Sequence, residues 1–336
     1  MGSPDAGPRV VAMGGGHGLA ASLSALRRLT CRLTAVVTVA DDGGSSGRLR
    51  RELGALPPGD LRMALAALAG SDPTGRMWAQ AVQYRFGGHG ALAGHAVGNL
   101  LITGLAEMLG DTVAALDFVG RAVGAVGRVL PMSTVPLRIE ADVLGVGKDD
   151  PDQVRRIRGQ VAVATTPGRV VSVSLAPSQP SACPAAVQAI EDADVVLLGP
   201  GSWFTSVLPH VLVPELLDAL LTTSARRVVA LNLAPQPGET DGFSPEEHLR
   251  VLFEHAPELR VDTVIADVDS VVDTDALVST VTSLGAALVL APVAADDGSP
   301  RHDPARFADA LARVSGPGWS WAPAESATHG EAHEWR

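Results

Sequence analysis

The feature that most constrains this fold is a repeated unit: a short apolar segment, a loop of glycine, acidic or hydroxyl residues, and then a helix-like stretch. Short runs of Val, Leu and Ile without polar alternation are typical of parallel strands that are covered on both faces. Strands are predicted at Arg9–Met13, Leu33–Val39, Asp194–Leu198, Arg227–Leu231, Thr263–Ala266 and Ala287–Ala291. Helices are predicted at Leu19–Leu29, Asp60–Ala69, His95–Leu109, Thr112–Ala125, Thr205–Leu221, Pro245–His255 and Pro304–Val314. The alternation predicts an α/β fold with a mostly parallel sheet.

The middle of the chain has a different pattern. From Val135 to Val143, apolar residues alternate with Arg138, Glu140 and Asp142, which predicts a half-exposed antiparallel strand. The stretch from 159 to 177 then reads as a hairpin with Thr166-Pro167-Gly168 in its turn. We therefore expect a small antiparallel elaboration around residues 133–176.

The 336 residues suffice for a large packed core, and we predict a single domain over residues 9–315. Residues 316–336 are polar and rich in small side chains, which favours a loose tail. His329 and His333 lie four residues apart, a spacing that would allow metal binding on a helix, although a loose tail is the simpler interpretation.

Charge and composition exclude several classes of protein. The net charge of -11 disfavours a nucleic-acid-binding role, which normally requires a basic surface. The N-terminus lacks the basic and apolar regions of a signal peptide, and no apolar run reaches the ~18 residues of a membrane helix. Two cysteines far apart in the sequence indicate neither a disulfide framework nor a metal site. We expect a cytoplasmic protein that binds neither nucleic acid nor a membrane.

Polar and glycine-rich loops follow the predicted strands, and ligands of open α/β sheets bind beyond the carboxyl ends of the strands. The loop from Gly14 to Gly18 suits a phosphate, because glycines open the backbone N–H groups and a helix N-terminus follows. Leu19 stands where a dinucleotide fingerprint has its third glycine, which weakens an assignment to NAD. A plain tight turn is the alternative.

The loops after the second and third predicted strands carry further candidates. Asp41 and Asp42 are adjacent carboxylates that repel each other unless hydrogen bonds or a cation offset the repulsion, so they are candidates for ribose hydroxyls or a divalent ion. The segment from Gly199 to Ser206 has more hydroxyls than a helix cap needs, which favours a ligand. Trp203 and Phe204 could equally stack on a ligand or pack in the core.

The candidate ligand-binding residues share a position near the end of a predicted strand or the start of a predicted helix. They are Gly14, Gly15, Gly16, His17, Gly18, Asp41, Asp42, Ser45, Ser46, Arg48, Arg62, His95, Asn99, Gly199, Gly201, Ser202, Thr205, Asn232, Gln236 and Glu239.

Several segments together resemble the gluconeogenesis-factor (YvcK-like) branch of the superfamily that also contains 2-phospho-L-lactate transferase (CofD-like), in an actinobacterial form. They are GGGHGL, VTVADDGGSSGRLR, PPGDLRMAL, QYRFGG, GHAVGNLL, LGPGSWFTSVLPH and NLAPQPGET, in order from residue 13 to about 240. The resemblance implies a Rossmann-like core that binds a UDP-sugar such as UDP-N-acetylglucosamine. It also implies a link to cell shape and cell-wall synthesis during gluconeogenic growth, with no established reaction.

The resemblance also implies roles for the candidates. Gly14 to Gly18 and Gly199 to Ser202 would hold phosphates, and Asp41 or Asp42 would face ribose or Mg²⁺. His95 and Asn99 would line the pocket, and the segment from Asn232 to Glu239 would lie near the base.

Three functions stay open at this point. The first is a nucleotide-sugar-binding regulator without turnover, which is favoured because the sequence offers no nucleophile–base pair. The second is a metal-dependent transferase of a nucleoside-diphospho-linked phospholactyl-type group, as in the CofD-like branch. The third, NAD-dependent redox chemistry, is the weakest because of the glycine spacing. We expect a small nucleotide ligand and leave open a homo-oligomer and the identity of a downstream protein partner.

Overall fold

Ten strands are present in residues 7–146 and 152–321, the part of the chain that this computed structural model describes. In chain order they are β1 (Val10–Gly14), β2 (Leu33–Val37), β3 (Arg128–Pro131), β4 (Arg138–Leu144), β5 (Val154–Arg158), β6 (Arg169–Ala176), β7 (Val195–Leu198), β8 (Arg226–Ala230), β9 (Thr263–Asp267) and β10 (Ala287–Ala291). Seven of them form one sheet in the order β10-β9-β8-β7-β1-β2-β3, and every neighbouring pair is parallel. The predicted α/β fold is confirmed, and all six predicted strands are present within two residues of their predicted bounds.

The strand order reverses between β1 and β7. From β1 the chain continues to β2 and β3 on one side, whereas β7 leads to β8, β9 and β10 on the other. All five residues of β1 are buried, as expected for a strand at the centre of a covered sheet. Ligands of open α/β sheets bind at such a reversal. The loops after β1, β2 and β7 meet at this edge, and these are the loops that carry most of the candidate residues.

Twelve α-helices flank the sheets within the described ranges. They are α1 (Gly16–Leu26), α2 (Gly44–Leu53), α3 (Gly59–Leu68), α4 (Pro73–Gln83), α5 (Val97–Leu109), α6 (Thr112–Ala122), α7 (Gln160–Thr165), α8 (Pro184–Glu191), α9 (Pro214–Thr222), α10 (Pro245–His255), α11 (Thr274–Ser283) and α12 (Pro304–Leu311). Leu19, Leu23 and Leu26 of α1 are buried at helical spacing, and α1 packs against α3 and α12. The first glycine loop forms the first turn of α1, because this helix begins at Gly16 rather than at the predicted Leu19.

One predicted helix is wrong. The segment predicted as a single helix over Thr205–Leu221 is divided into a π-helix at Trp203–Val207, a 3₁₀-helix at Leu208–Leu212, and α9. Pro209 and Pro214 explain the division, because proline has no N–H for the α-helical ladder and clashes with the preceding turn. The prediction also missed α2, whose Gly44-Ser45-Ser46 start and low apolar content hide its amphipathic pattern.

The antiparallel elaboration is confirmed, but its predicted hairpin is wrong. The small sheet has the order β5-β4-β6, and β4 pairs with both neighbours in antiparallel fashion. Residues 160–165, predicted as a strand of the hairpin, form the helix α7 instead. The turn at Thr166-Pro167-Gly168 therefore joins a helix to a strand. The helix is favoured because the carboxylate of Asp42, from outside this unit, caps its N-terminus.

Two further predictions concern the C-terminal tail and the absence of a membrane-spanning helix. The tail prediction, and with it His329 and His333, lies mostly outside the described residues, which end at 321. Among the described residues, no single helix is long and apolar enough to cross a membrane. Within the same residues, the segments Trp203–Leu212 and Pro214–Thr222 together have the length and apolar composition of such a helix, but they are bent by 77° relative to each other.

Candidate functional site

Four helix N-termini lie together beyond the carboxyl ends of β1 and β2. They belong to α1, α2, α3 and α5, and none is capped by the side chain of its own N-cap residue. Several helices whose N-termini lie elsewhere are capped by their own N-cap side chain, for example α4 by Asp72 and α6 by Asp111. The first turn of a helix presents unpaired N–H groups and partial positive charge. This edge of the sheet therefore concentrates positive potential that buried or bound anions can use.

The carboxyl groups of Asp41 and Asp60 form a pair at this edge. A Cβ atom on Gly15 would lie 2.5 Å from Oδ2 of Asp60, and one on Gly59 would lie 2.8 Å from Oδ2 of Asp41, so both glycines leave room for the pair. Burial of its carboxyl group and the negative charge of Asp41 raise the pKa of Asp60 to about 7, although a hydrogen bond from the Gly16 N–H opposes the rise. Near neutral pH the Asp60 carboxyl is therefore only partly ionised, and a cation bound beside it would favour its ionised form.

Asp42 faces a different element. Its Oδ1 accepts a hydrogen bond of 3.1 Å from the N–H of Val161, in the first turn of α7. Gly159, with a φ of +101°, passes so close to this carboxylate that a side chain there would overlap it. Asp42 thus caps α7 and joins the acidic loop to the small sheet. The predicted Asp41–Asp42 cation site stays a prediction, but the two carboxylates contact different elements.

No group of three or more His, Cys, Asp or Glu residues is arranged to hold a metal within residues 7–146 and 152–321. A cation at this edge would therefore have two protein carboxylates, Asp41 and Asp60, and would take its other ligands from the bound molecule and water. Asp60 was missed as a candidate because an acid in the first turn of a helix is commonly a structural feature. The signal was the PPGDLR segment, in which Gly59 permits the close approach of Asp41.

The second glycine loop is also occupied by a carboxylate of the protein. Oε1 of Glu239 accepts hydrogen bonds from the N–H groups of Phe204 (2.8 Å) and Thr205 (3.0 Å). The Ser202 hydroxyl lies 2.7 and 2.5 Å from the two carboxylate oxygens and also contacts the Thr205 hydroxyl. Burial raises the pKa of Glu239, and these hydrogen bonds limit the rise. Glu239 therefore fills the N-terminus of the π-helix, where the sequence predicted a phosphate.

Asn232 fixes the same loop. Its Oδ1 accepts a hydrogen bond from the Gly201 N–H, and its Nδ2 donates to the Gly201 carbonyl, both at 2.9 Å. The Gly201 N–H is thus engaged within the protein. Gln236 lies in the turn before Glu239, where its carbonyl accepts from the Glu239 and Thr240 N–H groups. Its buried Oε1 has no hydrogen-bond partner among the described residues.

A buried polar network joins α2, α3 and α5. The Ser45 hydroxyl lies 2.9 Å from Nδ1 of His95, and Nδ2 of Asn99 donates to Ser45 Oγ at 3.0 Å. Arg62 donates from a terminal nitrogen to Asn99 Oδ1 at 3.3 Å, while its Nε has no hydrogen-bond partner among the described residues. All four residues are buried. The structure brings together candidates from three separate segments of the sequence, at positions 45, 62, 95 and 99.

The remaining candidates have mixed surroundings. Arg48 donates to the carbonyls of Ala91 and Ala93, so its guanidinium holds the loop before His95. A Cβ on Gly18 would overlap the Pro200 carbonyl, so this glycine permits close packing of α1 against the second glycine loop. His17 is exposed on the first turn of α1. Ser46 lies beside Gly59 and the Asp41 carboxylate. Trp203 and Phe204 are fully buried, which favours core packing over stacking on a ligand.

Comparison with known proteins identifies what this architecture is similar to. The family model described as 2-phospho-L-lactate transferase CofD matches residues 10–294. A protein of Mycobacterium tuberculosis is 60% identical over 305 residues, covering 90% of this chain and 89% of that protein. A relative named gluconeogenesis factor in Listeria monocytogenes is 36% identical over 264 residues and is covered to 79%, as is this chain. A crystal structure of a member of the UPF0052 family from Bacillus halodurans has a TM-score of 0.80 and 32% identity, with 90% of this chain and 97% of that chain covered.

Proposed function

This chain belongs to the CofD family and has gluconeogenesis factors among its relatives, and from that premise we propose that it is a nucleotide-sugar-binding regulator. Its ligand in this proposal is a UDP-sugar such as UDP-N-acetylglucosamine. The regulated processes are gluconeogenic growth, cell shape and cell-wall synthesis. The proposal places the protein in the cytoplasm and leaves open a homo-oligomer and a downstream protein partner.

One observation carries the proposal: the Asp41–Asp60 pair lies among the N-termini of α1, α2, α3 and α5 at the strand reversal, and none of these is capped by its own N-cap side chain. A diphosphate ligand needs positive potential for its oxygens, which helix N-termini supply. A nearby pair of half-buried carboxylates suits a divalent cation that bridges to the same oxygens. The combination favours a cation-bound diphosphate over an uncharged ligand.

Asp41 and Asp60 would hold Mg²⁺ in this proposal. The fit rests on the raised pKa of Asp60, since a cation between two close carboxylates removes the repulsion that raises it. When bound, Mg²⁺ would neutralise charge on the diphosphate oxygens. The chain's own contribution is to orient the ligand through the α2 and α3 N-termini. Because internal carboxylates fill the N-termini of α1 and of the π-helix, the phosphates would lie nearer to α2 and α3 than the sequence suggested.

A transferase is the second candidate, and the same carboxylate pair favours it. Two carboxylates that hold a divalent cation beside a diphosphate are also the requirement for transfer of a nucleoside-diphospho-linked group. The fold supports either function, so the two are distinguished by which ligand binds and whether it is turned over.

The test is a thermal-shift panel with UDP-N-acetylglucosamine, UDP-glucose, GDP and NAD, each with Mg²⁺ and with a chelator. A ligand at ~100 times its dissociation constant stabilises the folded state by about 2.7 kcal/mol. The regulator proposal predicts a shift with the UDP-sugars and no turnover, so that mass spectrometry afterwards should find no more than one equivalent of ligand consumed per chain. A shift confined to GDP with Mg²⁺ would favour the transferase, and a shift confined to NAD would contradict both.

A further inference from the structure

We propose that Ser45 is a nucleophile, with His95 as its general base, and that it takes a phosphoryl group from a phosphoanhydride ligand. The pair is separated by 50 residues in the sequence and by 2.9 Å in the structure. A nucleophile within hydrogen-bond reach of a base, with its orientation fixed by a third group, is the usual arrangement for covalent catalysis. For its natural ligand class, this inference rests on the proposed diphosphate site.

The direction of each hydrogen bond in the network follows from the chemistry of the groups. Arg62 can only donate, so the Asn99 oxygen accepts from it and the Asn99 amide nitrogen must point to Ser45. Ser45 Oγ accepts from Asn99, and its own proton has one described acceptor, Nδ1 of His95. A buried hydroxyl is satisfied only if it uses that acceptor. The serine proton therefore already points at the base.

His95 is suited to receive that proton. Burial, followed by the positive charge of Arg48, lowers the pKa of His95, although Glu52 opposes this effect. The imidazole is therefore neutral at neutral pH, and its Nδ1 lone pair is free to accept. The backbone of this residue is fixed, because the main-chain N–H of His95 donates to the Leu92 carbonyl and its main-chain carbonyl accepts from the Phe86 N–H.

Two features stabilise the charge that develops on Ser45 when the proton leaves. Asn99 donates directly to Oγ, and the guanidinium of Arg62 behind it strengthens that donation. Ser45 also lies in the first turn of α2, which has no acidic residue in that turn and no side-chain cap. The partial positive charge of the helix N-terminus therefore acts on the oxygen.

Ser45 and His95 are buried, but both adjoin open space. Gly44 and Gly94 precede them in the chain, and a Cβ atom on either glycine would have no neighbour within 4 Å. Gly44 is exposed, so a ligand can reach the start of α2 from solvent. Ser46, the next residue, lies beside the Asp41 carboxylate, which places the proposed cation and diphosphate next to the nucleophile.

The reaction balances without an external oxidant or reductant. Ser45 Oγ forms a bond to phosphorus, its proton passes to Nδ1 of His95, and the phosphoanhydride P–O bond breaks. The released phosphate oxygen carries the electron pair away with the leaving group. With a UDP-sugar, attack on one phosphorus leaves a uridylyl group on Ser45 and attack on the other leaves a sugar-phosphoryl group. These two adducts differ in mass.

The full chain is treated with a fluorophosphonate probe and, in a separate sample, with UDP-N-acetylglucosamine and Mg²⁺. Adducts are then identified by intact-mass spectrometry and peptide mapping. The wild type should carry a fluorophosphonate adduct on Ser45, and one of the two ligand adducts should form there. Ser45→Ala should abolish labelling at this position. Ser283→Ala, which changes an exposed serine that bonds within its own helix, should label like the wild type.

His95→Gln tests the general base, and its result is informative even if Ser45→Ala does not fold. Glutamine keeps a hydrogen-bonding group but cannot take the proton, so labelling of Ser45 should slow by about 100-fold or more. Circular dichroism verifies the fold of each variant. Absence of labelling on Ser45, labelling of other residues only, or an unchanged rate in a folded His95→Gln variant would overturn the inference.

The probe carries no nucleotide, so the two proposals can fail separately. A thermal shift with UDP-N-acetylglucosamine but no adduct from either reagent would overturn the nucleophile and leave the proposed function standing. Labelling of Ser45 by the probe without a thermal shift from any nucleotide would support the nucleophile and overturn the proposed function.

Discussion

Asp60→Asn should stabilise the protein at alkaline pH in the absence of a cation. The carboxyl group of Asp60 has a pKa of about 7, whereas its ordinary value is 3.8. The difference corresponds to about 4 kcal/mol of free energy when the group is fully ionised in the folded state. Because part of Asp60 is accessible to solvent, we expect about 2–4 kcal/mol from removing the charge. Asparagine keeps an oxygen that can accept the hydrogen bond from the Gly16 N–H.

The pH dependence gives the sign of the effect. Below about pH 4 the carboxyl is protonated in both the folded and unfolded chain, so the wild type and variant should be equally stable. As the pH rises toward 7, the unfolded chain ionises readily while the folded chain resists ionisation. The stability of the wild type therefore falls relative to the variant across this window, and the difference is constant above it.

Urea denaturation at about pH 5 and about pH 8, with and without Mg²⁺, measures these differences. Mg²⁺ should stabilise the wild type at the higher pH and have little effect on Asp60→Asn. Asp42→Asn is the matched control, because its side chain caps α7, and it should keep the response to Mg²⁺. An Asp60→Asn variant that is no more stable than the wild type at about pH 8 would refute the account of a repelling carboxylate pair.

Two further predictions concern the second glycine loop. Glu239→Ala should destabilise the chain by about 3 kcal/mol in urea denaturation, because it leaves the N–H groups of Phe204 and Thr205 without an acceptor. The control is Glu254→Ala, which removes an exposed ion pair with Arg250 and should change stability by under about 0.5 kcal/mol. Equal effects of the two would show that the carboxylate at the π-helix is dispensable. Gly18→Ala should lower the free energy of unfolding by about 1–3 kcal/mol, because its methyl group forces α1 away from Pro200. The control is Gly104→Ala, in open space on α5, which should raise the free energy of unfolding by about 0.5–1 kcal/mol. A Gly18→Ala variant as stable as the wild type would contradict the close packing.

The sheet could be predicted from the sequence because its signal is local. The six predicted strands are short apolar runs bounded by turns, and the order of the elements is enough to place their carboxyl ends at one edge. The strand β3 was missed because it has only four residues, which begin with an exposed arginine and end with a proline. The division of the segment after Trp203 was missed because buried apolar residues hid the effect of its two prolines.

The candidate site was predicted in its location but not in its internal contacts. The glycine loops indicated phosphates, yet Asp60 and Glu239 fill the helix N-termini that those loops precede. No local pattern shows that a distant carboxylate will occupy an anion site. The same limitation applies to the Ser45–His95 pair, since their proximity depends on how α2 packs against α5. Sequence patterns report the chemistry of a segment, whereas pairing between segments requires the fold.

Isothermal titration of UDP-N-acetylglucosamine into the wild-type chain, with Mg²⁺ and then with a chelator, tests the central claim most directly. The account predicts saturable binding with one ligand per chain, and an affinity that falls by about 10-fold or more when the cation is removed, which corresponds to about 1.4 kcal/mol. No measurable binding in either condition would contradict the proposed ligand. Equal affinity in both would contradict the cation at Asp41 and Asp60.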